Sequence, residues 1–303
     1  MKSFKLILSV IFLFCSKENI AQLDSVNTIQ LNEIIITATK SEKLIDDTTI
    51  PTISISNKEI SSSGYTSLGE IIAEQTGMTI MPTYSGGESV QLQGLDSDYV
   101  LILIDGFPIT GRVAGDLDIS RLSLYDVEKI EIIKGGSSSL YGSEAMAGVI
   151  NVVTKKNYKE GLFPGISYKY GSHDLHDISA NIFFSKNNIK AGGNLNYISS
   201  SGYDLIDTDD TQTVQPFNRI TNSVFIKTSQ KKLGNIEVKA RNYIENKDET
   251  VFITQSGSRA KSKTNEYNIY FKYKNKLHKE TSLFFEYYNT LYGNEESLLV
   301  NDI

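Results

Sequence analysis

The sequence predicts an α+β domain followed by antiparallel β-strands of alternating polarity, and three observations predict it. Runs rich in Val and Ile at 100–104, 130–133 and 149–153 are bounded by Gly and Asp, and each reads as a mostly buried strand. From about Gly161 the pattern changes to a two-residue period. Ile189, Ala191, Gly193, Leu195 and Tyr197 fall on one face, and Lys190, Gly192, Asn194 and Asn196 on the other. Segments of this kind fit transmembrane strands or the sheets of a soluble sandwich. Beyond the N-terminus no stretch of eighteen apolar residues occurs, so any membrane crossing in the body of the chain is made by strands.

Composition narrows the function classes. With 303 residues, 40% hydrophobic and 22% charged, there is room for two folded domains. The net charge of -6 leaves a nucleic-acid partner without an electrostatic footprint.

Residues 1–21 read as a signal peptide. Lys2 and Lys5 form its positive end, 6–14 its apolar run, and Ala21 is the small residue before a cut at Gln22. That run is too short to cross a hydrocarbon core of about 30 Å as a helix. The single cysteine, Cys15, lies inside the segment, so the mature chain needs no disulfide. A lipid anchor at Cys15 is disfavoured by the bulky Phe14.

After a polar spacer, 31–39 (LNEIIITAT) has high β-propensity and polar flanks. Read from its residues alone, it is an ordinary first strand or an accessible pairing segment. The stretch 52–56, TISIS, alternates as a half-buried strand. Ser67 with Glu70 then makes a capping box, Leu68, Ile71 and Ile72 share one face, and Gly77 marks a stop. A short helix on the sheet follows. Residues 78–81 and 90–92 are the next strands, joined by the loop 82–88.

The stretch 91–155 holds the centre of this domain. Asp105-Gly106 is the dipeptide of a type I′ turn, since both positions need positive φ. Gly135-Gly136 and three serines turn the chain again and start a short helix, while Gly142 and Gly148 allow close backbone approach. In the family's order, QLQGL, VLILIDGFPI and VEKIEIIKGGSSSLYGSEAMAGVINVVTKK resemble the plug domain of TonB-dependent outer-membrane receptors, over roughly residues 31–156. Two places depart from that pattern: Gln93-Gly94 stands where the family has Arg-Gly, and Lys134-Gly135-Gly136 where it has Arg-Gly-Pro. The first removes a guanidinium available to a carboxylate, and the second loosens a turn.

The resemblance implies more than the residues do. Glu33, Ile34, Ile35, Ile36, Thr37, Ala38 and Thr39 fall where the family has the box that pairs with the periplasmic energy-coupling protein TonB. Strand addition suits that task, because main-chain bonds hold along the direction of a pull. The family's plug apices help hold substrate, which points to the loops 82–88 and 106–116. Tyr84, Ser85, Phe107 and Arg112 are the substrate candidates there, an aromatic face plus a cation suiting a bulky anionic ligand. Packing of the same side chains against the barrel wall is the equal alternative. The ligand implied is a metal chelate or cobalamin, and the location the cell outer membrane.

With a plug ahead of them, the alternating segments read as barrel rather than sandwich. They lie at 166–170, 178–184, 189–197, 220–228, 236–244, 267–273 and 283–289. Twelve of the 17 tyrosines fall at or after Tyr158, where with no tryptophan they must supply the interfacial belts. The expected domains are 1–21 signal peptide, 22–45 extension, 46–156 plug and 157–303 barrel. At roughly ten residues per strand plus turns, the last region yields some seven or eight strands. Plugged transporters have about 22, and the chain ends without the family's terminal aromatic. The sequence therefore reads as the N-terminal part of a longer receptor.

Two chemical possibilities remain. Asp204, Asp207, Asp209 and Asp210 crowd one loop, as hard cations such as Ca²⁺ require, and loosely resemble acidic loops of vitamin B12 receptors. A solvated acidic loop explains them as well. No other cofactor is indicated. His173, His176 and His278 have no zinc-like spacing, and no phosphate loop or nucleophile elbow occurs, so no enzymatic role is expected. The alternative to transport is a surface binding or signalling protein, or a truncated and inactive receptor.

Overall fold

Each sequence-predicted strand of the first half finds its partner through the hydrophobic pattern rather than through proximity. The computed structural model describes residues 34–35, 43–44, 51–83, 87–112, 115–135, 141–156, 159–205, 213–230, 234–253, 256–277 and 281–299. The signal peptide, most of the expected TonB-pairing segment (Glu33, Ile36, Thr37, Ala38, Thr39), Tyr84, Ser85, Asp207, Asp209, Asp210 and His278 lie outside them. Residues 34–303 group as one unit.

At the start, β1 (Ile34–Ile35) pairs antiparallel with β2 (Lys43–Leu44), with Ile34 opposite Leu44. The next strand, β3 (Thr52–Ser56), opens a five-stranded mixed sheet. Its order is β3, β8 (Val127–Lys134), β9 (Gly148–Thr154), β6 (Val100–Ile104), β7 (Phe107–Pro108). β6 runs parallel to β9 with Val100 opposite Gly148, and β8 runs antiparallel to β9. The three central strands are the three Val/Ile runs. A parallel pair buried on both faces demands such runs, and every residue of β6 is buried.

Asp105 (φ 54°) and Gly106 (φ 86°) make the turn that the dipeptide predicts, closing β6 on β7. Two helices cover the sheet. α1 (Asn57–Ser63) was not expected; it is capped by Ser56 and Glu59 and ends on Gly64 at φ 77°. α2 (Leu68–Ala73) carries the expected capping box of Ser67 and Glu70 and buries Leu68, Ile71 and Ile72. Its axis ends before Gly77, which turns the chain at φ 78° into β4 (Met78–Pro82). β4 pairs with β5 (Glu88–Leu92) in a separate hairpin. Full burial of each such aliphatic side chain contributes about 1.5–3 kcal/mol. The short helix expected after Gly135 falls on 136–140, outside the described residues; a single 3₁₀ turn at Ser143–Ala145 follows.

The second half is one antiparallel sheet of seven consecutive strands. They are β10 (Gly161–Gly171), β11 (Leu175–Lys186), β12 (Ile189–Ser200), β13 (Phe217–Gln230), β14 (Gly234–Ile253), β15 (Ser256–Lys276) and β16 (Ser282–Leu299). The expected segments are all here, but β14 and β15 run to 20 and 21 residues where about ten were expected. Exposure alternates through β11 to β15, whereas β16 is exposed on both faces from Ser282 to Tyr287. Ile178, Ile182, Phe184, Leu195, Val224, Ile226, Tyr267 and Ile269 are exposed on the outer face, while Asp177, Asn196, Arg219, Lys239, Arg241 and Glu266 are buried on the inner one. Residues 201–205 and 213–216, between β12 and β13, and the far ends of β14 and β15 share one end of this wall. At the other end sit tight turns such as 187–188. Long loops outside and short turns inside are the rule for outer-membrane barrels.

Candidate functional site

The apolar core of the first domain never crosses to the wall. Its main cluster runs from Ile55 to Val152 and its second from Leu101 to Val149, with no member from β10 to β16. Among the described residues, the contacts that join the two halves are mostly polar, and many of them gather on two loops.

Asp105 lies in the first of these, the turn after β6. Its carboxylate lies 2.7 Å from Lys239 Nζ on β14 and 3.3 Å from Lys156 Nζ, and accepts from Thr154 N (2.9 Å) and Oγ1 (2.8 Å). Burial alone would push this carboxyl up. The ammoniums of Lys156 and Lys239 and the Thr154 amide hold it instead well below the usual carboxylate range. Lys156 also pairs with Glu237 at 2.6 Å, so two cations face two carboxylates. Lys272 donates to the Asp105 carbonyl at 3.0 Å and stands 4.5 Å over the Phe107 ring.

Phe107 stacks its ring against two tyrosines of the wall. Its ring is 4.8 Å from that of Tyr270 and 5.3 Å from that of Tyr288, and Tyr288 Oη donates to the Pro108 carbonyl at 2.6 Å. Phe107 is thus buried against the wall. Arg112 ties its own loop: Nη1 donates to the carbonyls of Ser97 (2.9 Å) and Gly115 (3.0 Å), and Nη2 to that of Val100 (2.9 Å). The structure does not bring these two side chains together.

The second loop presents Asp118, Ser120 and Arg121. Asp118 accepts from the amides of Glu88 and Ser120 (both 3.0 Å) and pairs with Lys247 at 3.4 Å. Arg219 donates to the carbonyl and the hydroxyl of Ser120, both at 3.0 Å, and pairs with Glu245. Burial opposes ionisation of Asp118, but Lys247 and Arg219 outweigh it, and its carboxyl too is held well below the usual range. Glu88 next to it behaves the other way. Burial and the Asp118 charge push its carboxyl up, and its Oε2 has no hydrogen-bond partner.

Arg121 reaches farthest into the wall. It donates to the Thr110 carbonyl, lies 3.6 Å from Glu266 on β15, and its guanidinium is 5.8 Å from the centre of the Tyr243 ring. Arg241 faces the same ring at 5.9 Å and the same carboxylate at 3.9 Å.

Sequence reasoning missed the wall's share of this site. Along β14 every second residue from Glu237 to Lys247 is ionisable: Glu237, Lys239, Arg241, Tyr243, Glu245, Lys247. A face that met only water would not need that ladder, and its period was legible. The cavities left at the contact measure about 30 Å³, beside Ser123, Thr154 and Arg241, and about 40 Å³, beside Gly111, Arg121 and Tyr292. Each has room for a few waters at about 10–15 Å³ apiece. A ligand of several hundred Å³ passes here only if the domain moves.

In the acidic loop, Asp204 accepts from Thr213 Oγ1 at 3.3 Å. Its three companions lie outside the described residues, among which no cluster of three or more potential ligands is placed to hold a metal.

The family model for the TonB-dependent Receptor Plug Domain matches residues 45–149. Over 151 residues the chain is 32% identical to the vitamin B12 transporter BtuB of Vibrio cholerae serotype O1, covering 48% of this chain and 24% of that one. It is 34% identical over 131 residues to that of Vibrio vulnificus, covering 42% and 21%. The chain therefore spans about a quarter of the length of these relatives. In fold it is similar to the alcaligin outer membrane receptor FauA of Bordetella pertussis (TM-score 0.64, 16% identity, 88% of this chain and 43% of that). It is similar too to the ferric yersiniabactin uptake receptor FyuA of Yersinia pestis (TM-score 0.62, 16% identity, 82% and 41%).

Proposed function

We propose, from the premise that this chain is a TonB-dependent receptor of the outer membrane with a plug domain and the barrel strands after it, that it imports a scarce, large nutrient. A ferric siderophore, heme or cobalamin is the class, and TonB supplies the work. Two kinds of similarity support the reading: relatives named as vitamin B12 transporters, and structural neighbours named as receptors for ferric chelates.

The observation that carries it is the separability of the plug. A domain whose apolar core is entirely its own keeps that core when it shifts, so displacement costs chiefly ion pairs and hydrogen bonds. Those groups gain water as they part. The charges at Asp105 balance in place, two cations against two carboxylates, so the resting plug is held without a net repulsion.

A pull enters through the N-terminal segment. β3 is the first strand of the five-stranded sheet in sequence and lies at one of its edges, hydrogen-bonded within that sheet to β8 alone. Ligand contact at the apical loops biases the N-terminal segment toward release, and TonB adds a strand to it. Deleting residues Glu33 through Thr39 then abolishes uptake while ligand binding to whole cells persists. Uptake that survives the deletion would rule the assignment out.

A further inference from the structure

Five polar atoms with no hydrogen-bond partner gather where Arg121 meets the wall: Thr110 Oγ1, Arg121 Nε, Arg241 Nη1, Tyr243 Oη and Glu266 Oε2. Four of them donate. Arg121, Arg241, Tyr243 and Glu266 are all at least nine-tenths buried. Here two guanidiniums share one carboxylate, at 3.6 and 3.9 Å, both too long for a hydrogen bond.

Two of the nearby acids are already paired. Glu245 is held by Arg219 and Lys247, and Asp118 by Lys247 and Ser120. Asp116 and Glu296 line the neighbouring cavity beside Arg121, where they accept from Ser97 and Asn294; at Glu266 itself two buried guanidiniums face one carboxylate, an expensive arrangement unless something more neutralises them. The cavity of about 30 Å³ reaches Arg241, with Lys239 and the hydroxyls of Ser123, Thr221 and Ser223, and a separate cavity of about 40 Å³ reaches Arg121. Asp126 lines the first too, but its carboxylate accepts from Asn194.

We propose that a small inorganic anion of halide size binds between Arg121 of the plug and Arg241 of the wall, against the Tyr243 hydroxyl, and helps keep the plug seated. Its charge joins that of Glu266 against the two guanidiniums. Its several weak acceptor contacts match donors that come from both halves, so binding joins them. Movement of the plug withdraws Arg121 and dissolves the site.

Crystals of the unmodified protein grown or soaked in bromide test this directly, with anomalous scattering expected at that position. In solution, replacing gluconate by chloride at constant ionic strength should raise Tm by about 2–4 °C. Arg241→Gln and Arg121→Gln should each abolish that shift. Density for solvent without anomalous signal, or a chloride effect undiminished in both variants, overturns the proposal.

Discussion

Taking the carboxyl from Asp105 leaves Lys239 and Lys156 facing each other in a buried site, with Glu237 the one acid near them. Asp105→Ala should cost about 3–5 kcal/mol, read as a lower denaturant midpoint of the protein in detergent. The pH dependence follows from the direction of the shift. A carboxyl held low in the fold adds stability that is fully present above its unfolded pKa of about 3.9 and fades as pH drops below it. Glu88 has the opposite sign, because burial pushes its carboxyl up. Its ionised form weakens the fold at neutral pH and not in acid, so Glu88→Gln should raise Tm at pH 7 and lose that advantage near pH 4. Asp105 was legible as a turn residue and not as the hub of an ion cluster. Its partner Lys239 is 134 positions away, and no local pattern joins them.

At the level of elements, the joint between β8 and β9 leaves no room for a side chain at Gly148. A Cβ at Gly148 would lie 2.3 Å from the Ile133 carbonyl oxygen and 2.4 Å from Leu92. Backbone cannot give way as a side-chain tip does, so Gly148→Ala should cost about 2–3 kcal/mol. Protease digestion that cuts the plug while sparing the wall would show it. The three Val/Ile runs, the Asp-Gly turn and the capping box of α2 were all readable, since each is fixed by residues close in sequence. α1 was not. Its capping box was there at Ser56 and Glu59, but three serines are poor helix formers and only Ile60 is buried. Packing under that one isoleucine decides the helix. The extent of β14 and β15 was likewise hidden, because 245–250 (ENKDET) and 256–265 (SGSRAKSKTN) carry no alternation of apolar residues.

Across the whole molecule, the two faces of the wall meet different solvents. Val224, 60% exposed in the middle of β13, points outward, while its neighbours Ser223 and Phe225 turn toward the plug. Val224→Arg should therefore cost about 2–4 kcal/mol in a bilayer, measured by equilibrium folding into lipid vesicles. The overshoot of β14 and β15 has a consequence of its own. A hydrocarbon core takes up about 9–11 residues of a tilted strand, so close to half of each projects beyond it as a two-stranded ribbon. Lys261 and Lys263 stand exposed on that ribbon. An amine-reactive dye too polar to enter the cell should stain them on living bacteria, giving a handle by which the protein can be counted and tracked from outside.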